Sequence, residues 1–144
     1  MKEIIIYTDG ACSKNPGPGG WGAVLIYGEK IKEISGGEAA TTNQRMELQA
    51  VIEALKQLKV PCKAKVHSDS AYIINCFKQR WYVNWERNGW VNSKKEPVSN
   101  RDQWEELLRL YRTHDVEWVK VKGHAGVQWN ERCDELARGA VPKK

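Results

Sequence analysis

The sequence predicts an α/β fold: a five-stranded mixed sheet, antiparallel over its first three strands and parallel thereafter, flanked by helices. Three observations lead there. The opening third holds three runs of β-branched and aromatic residues joined by turn residues. Thereafter helical periodicity alternates with short strand-like runs, and strands separated by helices lie parallel to the first. Two acids, Asp9 and Asp69, stand at the ends of predicted strands, where ligands gather in such sheets.

"EIIIYTD" is the first strand, because Ile4, Ile5, Ile6 and Tyr7 are strong β formers. "AVLIYGEKIKEISGGE" holds two apolar runs about Gly28-Glu29-Lys30, which reads as strand, turn and strand, reaching about Glu38. "TTNQRMELQAVIEALKQLK" follows with apolar residues near helical spacing, Thr42 or Asn43 as its N-cap and Pro61 as its stop. "KAKVHSD" is a short strand ending at Asp69, and "SAYIINCFKQ" a helix. After a tryptophan-rich segment, "RDQWEELLRLYRTH" is an amphipathic helix, "VEWVKV" a strand and "WNERCDELARGAV" a closing helix. No repeat, low-complexity tract or linker interrupts the 144 residues, so one domain over 1–144 is expected.

The composition is that of an ordinary globular protein, with no apolar run long enough to cross a bilayer. "MKEIIIYTDG" sets an acid beside its lysine and reaches Asp9 after a few apolar residues, which does not suit a signal peptide; a cytoplasmic location is expected. Cys12, Cys62, Cys76 and Cys133 show no metal or disulfide spacing, and free thiols are expected. Net charge is +5, and Lys78 to Arg101 carries +4 of it, with six basic and two acidic residues. Trp81, Tyr82, Trp85 and Trp90 lie among those charges, a pattern that suits a polyanion.

Gly17, Gly19 and Gly22 fit G-x-G-x-x-G, a dinucleotide-binding spacing. That chemistry needs a helix after the glycines, whereas a strand follows here, and Pro16 and Pro18 lack the amide hydrogens of a phosphate cradle. The dinucleotide reading is therefore set aside.

Asp9, Glu47, Asp69 and Asp134 each have an ordinary reading when taken singly: a turn acid, a first-turn helix acid, a helix N-cap and a solvated helix acid. Their settings change the weight. "TDGACSKNPGPGGWG", "TTNQRMELQA", "HSDSAYI", "KQRWYVNWERNGW" and "VKGHAGVQWNERCDELAR", in this order, resemble ribonuclease H of the cellular type 1 family, from about Ile4 to Ala140. The resemblance implies the ribonuclease H-like fold and a metal-dependent endonuclease that hydrolyses the RNA strand of RNA/DNA hybrids. It implies metal-binding catalytic acids at Asp9, Glu47, Asp69 and Asp134, with His124 in the "KGHAG" loop for proton transfer or product release. It implies two Mg²⁺ ions, Mn²⁺ being a substitute. Mg²⁺ prefers oxygen ligands and keeps several waters, so a few carboxylates and a substrate phosphate suit it.

By the same resemblance Cys12, Asn15, Asn43 and Gln44 contact the hybrid. Thr42, Asn100 and Ser70 form a pocket for a DNA phosphate, and the 78–101 segment is a basic protrusion that grips the DNA strand. Trp81 and Trp85, four apart on one helical face, form an aromatic wall there, and Trp90 both packs the protrusion and touches substrate; Trp104 and Trp118 are expected in the core. The glycine loop would let backbone approach a wide minor groove. Ala71 and Ala40 depart from relatives that place a glutamine and an arginine at these positions, which bears on substrate affinity. A monomer without an obligate protein partner or membrane contact is expected, and low processivity, the chain starting almost at the catalytic domain. Two alternatives stand beside this: a module that holds hybrids without cutting, and a nuclease of the same fold acting on DNA.

Overall fold

The computed structural model describes residues 1–121 and 128–143. Its order is β1 (Lys2–Cys12), β2 (Gly17–Tyr27), β3 (Lys30–Thr41), α1 (Asn43–Lys56), β4 (Cys62–Ser68), α2 (Ala71–Lys78), α3 (Trp81–Arg87), α4 (Arg101–Thr113), β5 (Asp115–Lys120) and α5 (Gln128–Ala140). The sheet runs β3-β2-β1-β4-β5, with β1, β2 and β3 antiparallel and β4 and β5 parallel to β1. This is the expected fold class. The first three strands run longer than their apolar stretches, since β1 and β2 pair on to Cys12 opposite Gly19.

The two faces of the sheet carry different loads. Ile4 and Ile6 of β1, Ala23 and Leu25 of β2, and Ala64 and Val66 of β4 join one core with Leu48, Val51 and Leu55 of α1 and Trp104, Leu107 and Leu108 of α4. Strand side chains alternate between faces, so Gly20 and Gly22 look the other way, toward α5. A Cβ on Gly20 would stand 2.2 Å from the Ala137 carbonyl oxygen, and one on Gly22 would stand 2.8 Å from that of Cys133. Gly20 and Gly22 thus admit the protein's own helix, which accounts for them without a nucleic-acid groove.

Thr42 is the N-cap of α1, its hydroxyl accepting from the Arg45 amide at 3.2 Å. Ser70 caps α2 in the same way, by accepting from Ile73 N–H at 3.3 Å. Asp69 therefore does not cap that helix, and Glu47, the fifth residue of α1, lies past its first turn. The ordinary readings of both acids lose their structural basis.

Candidate metal centre and nucleic-acid interface

Asp9 lies on β1 opposite Gly22, so its side chain shares the α5 face of the sheet. Glu47 comes from α1, and Asp69 follows the last residue of β4, the strand beside β1. Gly10 brings these elements together. A Cβ there would stand 2.5 Å from the Glu47 backbone nitrogen and 2.7 Å from the Met46 carbonyl carbon, so only glycine lets α1 settle this close to β1. The Gly10 N–H then donates to Glu47 Oε1 at 2.9 Å and to Asp9 Oδ1 at 3.0 Å. One backbone amide thereby fixes two carboxylates.

Asp9, Glu47 and Asp69 each offer an oxygen within 4.8 Å of the others, and among the described residues theirs is the one acid, histidine or cysteine group so gathered. Asp9 is 4% exposed. Burial foremost, then the charges of Asp9 and Asp69, push the Glu47 carboxyl well above the ordinary glutamate value. Its Oε2 is buried and receives no donor among the described residues. Facing other carboxylates, that oxygen can be satisfied by a shared proton or by a cation, and an all-oxygen donor set suits a hard divalent ion. The residues present therefore fit a metal site.

Asp134 stands apart. It lies on α5 but is absent from the 4.8 Å group, and its Oδ2 accepts from Arg138 Nε at 2.8 Å, one helical turn on. His124 falls outside the described residues.

The expected substrate contacts cluster near the same end. Asn15 Oδ1 accepts from the Asn43 amide at 3.2 Å, which ties the first hairpin to the start of α1, and Asn43 and Gln44 are exposed on its first turn. Cys12, half-buried, hydrogen-bonds carbonyls of the same hairpin and of Thr41. Thr42, Ser70 and Asn100 are the N-cap residues of α1, α2 and α4, and helix N-termini favour anions. The Asn100 amide is fixed at both ends: Oδ1 accepts from Arg45 Nη1 at 3.3 Å, and Nδ2 donates to the Tyr72 hydroxyl at 3.2 Å. Arg45 in turn clamps Asp102 at 2.8 Å.

Trp81 and Trp85 lie 6.2 Å apart, centroid to centroid, on α3, and Trp85 leans on Trp90 at 5.9 Å and meets Trp104 edge-on at 5.5 Å. Both are half-buried against the core. Trp90 is only 8% exposed, so the structure displays its packing role and leaves little indole surface for a ligand. Trp104 is fully buried as expected, and Trp118 packs against the core at its margin. Four cysteines are free thiols.

A ribonuclease H family model matches residues 1–141. The chain belongs to the ribonuclease H family. It is 65% identical over 141 residues to the ribonuclease H of Symbiobacterium thermophilum, covering 98% of this chain and 96% of that one. Among solved structures it resembles LC9-RNase H1, a type 1 RNase H with the type 2 active-site motif, with a TM-score of 0.86 and 31% identity over 98% of this chain and 72% of that one. It also resembles LC11-RNase H1 solved in complex with RNA/DNA hybrid, with a TM-score of 0.74 and 27% identity over 96% of each chain. The protein is thus a ribonuclease H enzyme, and its gathered acids lie on β1, on α1 and just past β4.

Three residues escaped the sequence reading. Gly10 looked like a turn glycine, and nothing in one sequence announces that a helix will press on it. Arg45 shows its partner only once α1 and α4 meet. Arg138 had a readable signal, since Asp134 and Arg138 are spaced i, i+4 on a helix.

Proposed function

We propose that this ribonuclease H cleaves the RNA strand of RNA/DNA hybrids to 5′-phosphate and 3′-hydroxyl ends, using divalent cations held by Asp9, Glu47, Asp69 and Asp134. The carrying observation is the buried Glu47 Oε2, which has no donor among the described residues, within a group of three acids. Two Mg²⁺ ions bound there would activate the attacking water and stabilise the leaving 3′ oxygen, with Mn²⁺ able to stand in. Asp9, held by the Gly10 amide on the central strand β1, would hold the cations together with Asp69 and Asp134. Glu47 supplies a further ligand and orients a water or the 2′ hydroxyl, while His124 moves a proton or aids release.

Specificity for the hybrid requires reading a 2′ hydroxyl on one strand and its absence on the other. Asn43 and Gln44, exposed at the start of α1, with Cys12 and Asn15 beside them, are placed to meet the RNA strand and the minor groove. Thr42, Ser70 and Asn100 receive a DNA phosphate at three helix N-termini, and Trp81 and Trp85 pack on deoxyriboses, with Trp90 behind them. The chain acts as one domain, 1–144, with residues 78–101 as its protrusion, as a monomer in the cytoplasm, where such hybrids arise.

End-labelled RNA in matched RNA/DNA and RNA/RNA duplexes, incubated with Mg²⁺ or with EDTA beside an Asp9→Asn control, tests this. Cutting of the hybrid alone, dependent on Mg²⁺ and lost in the variant, is expected. Cutting that survives EDTA, or salt-sensitive binding without cutting, would overturn it, the latter in favour of a holding module.

A further inference from the structure

The Asp134–Arg138 pair lies beside the centre. Gly22, the register partner of Asp9, lies against the Cys133 carbonyl and the Leu136 side chain, so this turn of α5 faces the Asp9 end of the sheet. The backbone there has little freedom. Gly20 and Gly22 seat α5 against β2, and Arg132 grips Glu33 of β3 at 2.6 Å and 2.9 Å. Only the Asp134 side chain remains to be set. Arg138 Nε and Nη2 both reach the same oxygen, Oδ2, at 2.8 Å. The Arg138 side chain is 65% exposed and that of Asp134 27%, so the pair sits at the solvent edge, where exchange of partners costs little.

We propose that Arg138 is a positioning residue of the metal centre: it acts as a resident counter-ion that holds Asp134 off the Asp9–Glu47–Asp69 group, and a divalent cation must compete with it for that carboxylate. The inference rests on the metal reading of the preceding section. Three acids are gathered before any cation arrives, at the cost of their mutual repulsion, and a fourth would add to that repulsion. Pairing Asp134 with Arg138 keeps its charge neutralised until a cation can take over. The arginine thereby lowers the apparent cation affinity.

Mn²⁺ binding to the full chain, read from the loss of the free-ion EPR signal, tests this without reference to activity. Arg138→Gln should bind Mn²⁺ roughly two- to fivefold more tightly than the parent, the range an exposed ion pair supports. Arg138→Lys, which keeps the charge and can still reach Asp134, should stay near the parent. In an Asp134→Asn background, Arg138→Gln should change affinity little, because the competition is then gone. Equal or weaker binding by Arg138→Gln would overturn the proposal, as would the same tightening in the Asp134→Asn background, which would make the effect one of charge alone. Absence of Mn²⁺ binding by the parent would overturn the metal reading itself, and this inference with it.

Discussion

The acidic centre and the tryptophan-rich segment are held in shape by opposite means. At the centre the backbone is regular, and side chains are aimed by close approach: β1 and α1 touch at Gly10, and one amide serves Asp9 and Glu47. Between Arg80 and Asn100 the backbone is irregular. Among the described residues the four left-handed non-glycine positions, Arg80, Trp90, Lys95 and Asn100, all lie in that stretch, each at a cost of about 1 kcal/mol. Helix α3 has no fully buried residue and no side-chain cap. What offsets these costs is aromatic packing, Trp81 on Trp85, Trp85 on Trp90 and Trp104, and the guanidinium of Arg101 5.4 Å from the Trp90 ring centre. The gathered acids are aimed by a strand and a helix in close backbone contact; the tryptophan-rich segment rests on a short helix with large, sparsely bonded side chains.

If that contrast holds, the largest effect belongs to the smallest change. Gly10→Ala adds one methyl where Glu47 and Met46 backbone already stand within 2.7 Å, so α1 must shift and take the Glu47 carboxylate with it. Displacements near 1 Å can cost on the order of 10² in rate. Cleavage at saturating hybrid should fall by about that factor, with a loss of about 1–3 kcal/mol in stability from overpacking. Steady-state kinetics and thermal melts check both. A near-normal rate would mean that the centre tolerates movement of α1, and the contrast would fail.

Trp81→Ala probes the other region. Trp81 touches Tyr72 and Trp85 and donates its Nε1–H to Gln79 Oε1 at 2.9 Å. Its loss should raise KM for the hybrid by about tenfold, as for one aromatic anchor of an interface. The value of kcat should change little, since the acids are built elsewhere. A fall in kcat with KM unchanged would show that the segment supports the centre instead of the substrate.

The same contrast explains what was legible. Strand directions, helix positions and the choice of Thr42 or Asn43 as cap follow from periodicity and local chemistry, which a sequence displays directly. The convergence of Asp9, Glu47 and Asp69 does not, because 38 and 22 residues separate them in the chain and spacing carries no distance; the family motifs made it readable. Trp90 was harder. Flanking basic residues suggested a ligand surface, yet its left-handed backbone, φ 64°, turns the indole into the core. The glycines of the opening hairpin were read outward for a similar reason: a sequence shows that backbone approach is allowed, without showing what approaches.

The smallest expected effect tests whether the segment rests on its indoles or on its one bidentate ion pair to α4. Arg112 reaches Glu86 at 2.6 Å and 2.9 Å and lies 5.9 Å from the Tyr82 ring centre. Hydrogen bonding from Arg112 holds the Glu86 carboxyl below the ordinary glutamate value. A carboxyl lowered in the folded state adds stability above its unfolded pKa, about 4.3, and that stability is lost as pH falls through the lower folded value. Both side chains are more than a third exposed, so the contribution at neutral pH should stay below about 1 kcal/mol and shrink further in salt. Urea melts of the parent and Glu86→Gln should therefore differ slightly at pH 7 and converge once Glu86 itself is protonated. A loss above about 2 kcal/mol at pH 7 would exceed what an exposed pair supplies. It would place the segment's support in charge instead of aromatic packing, and the two regions would then differ in what they present and not in how they are held.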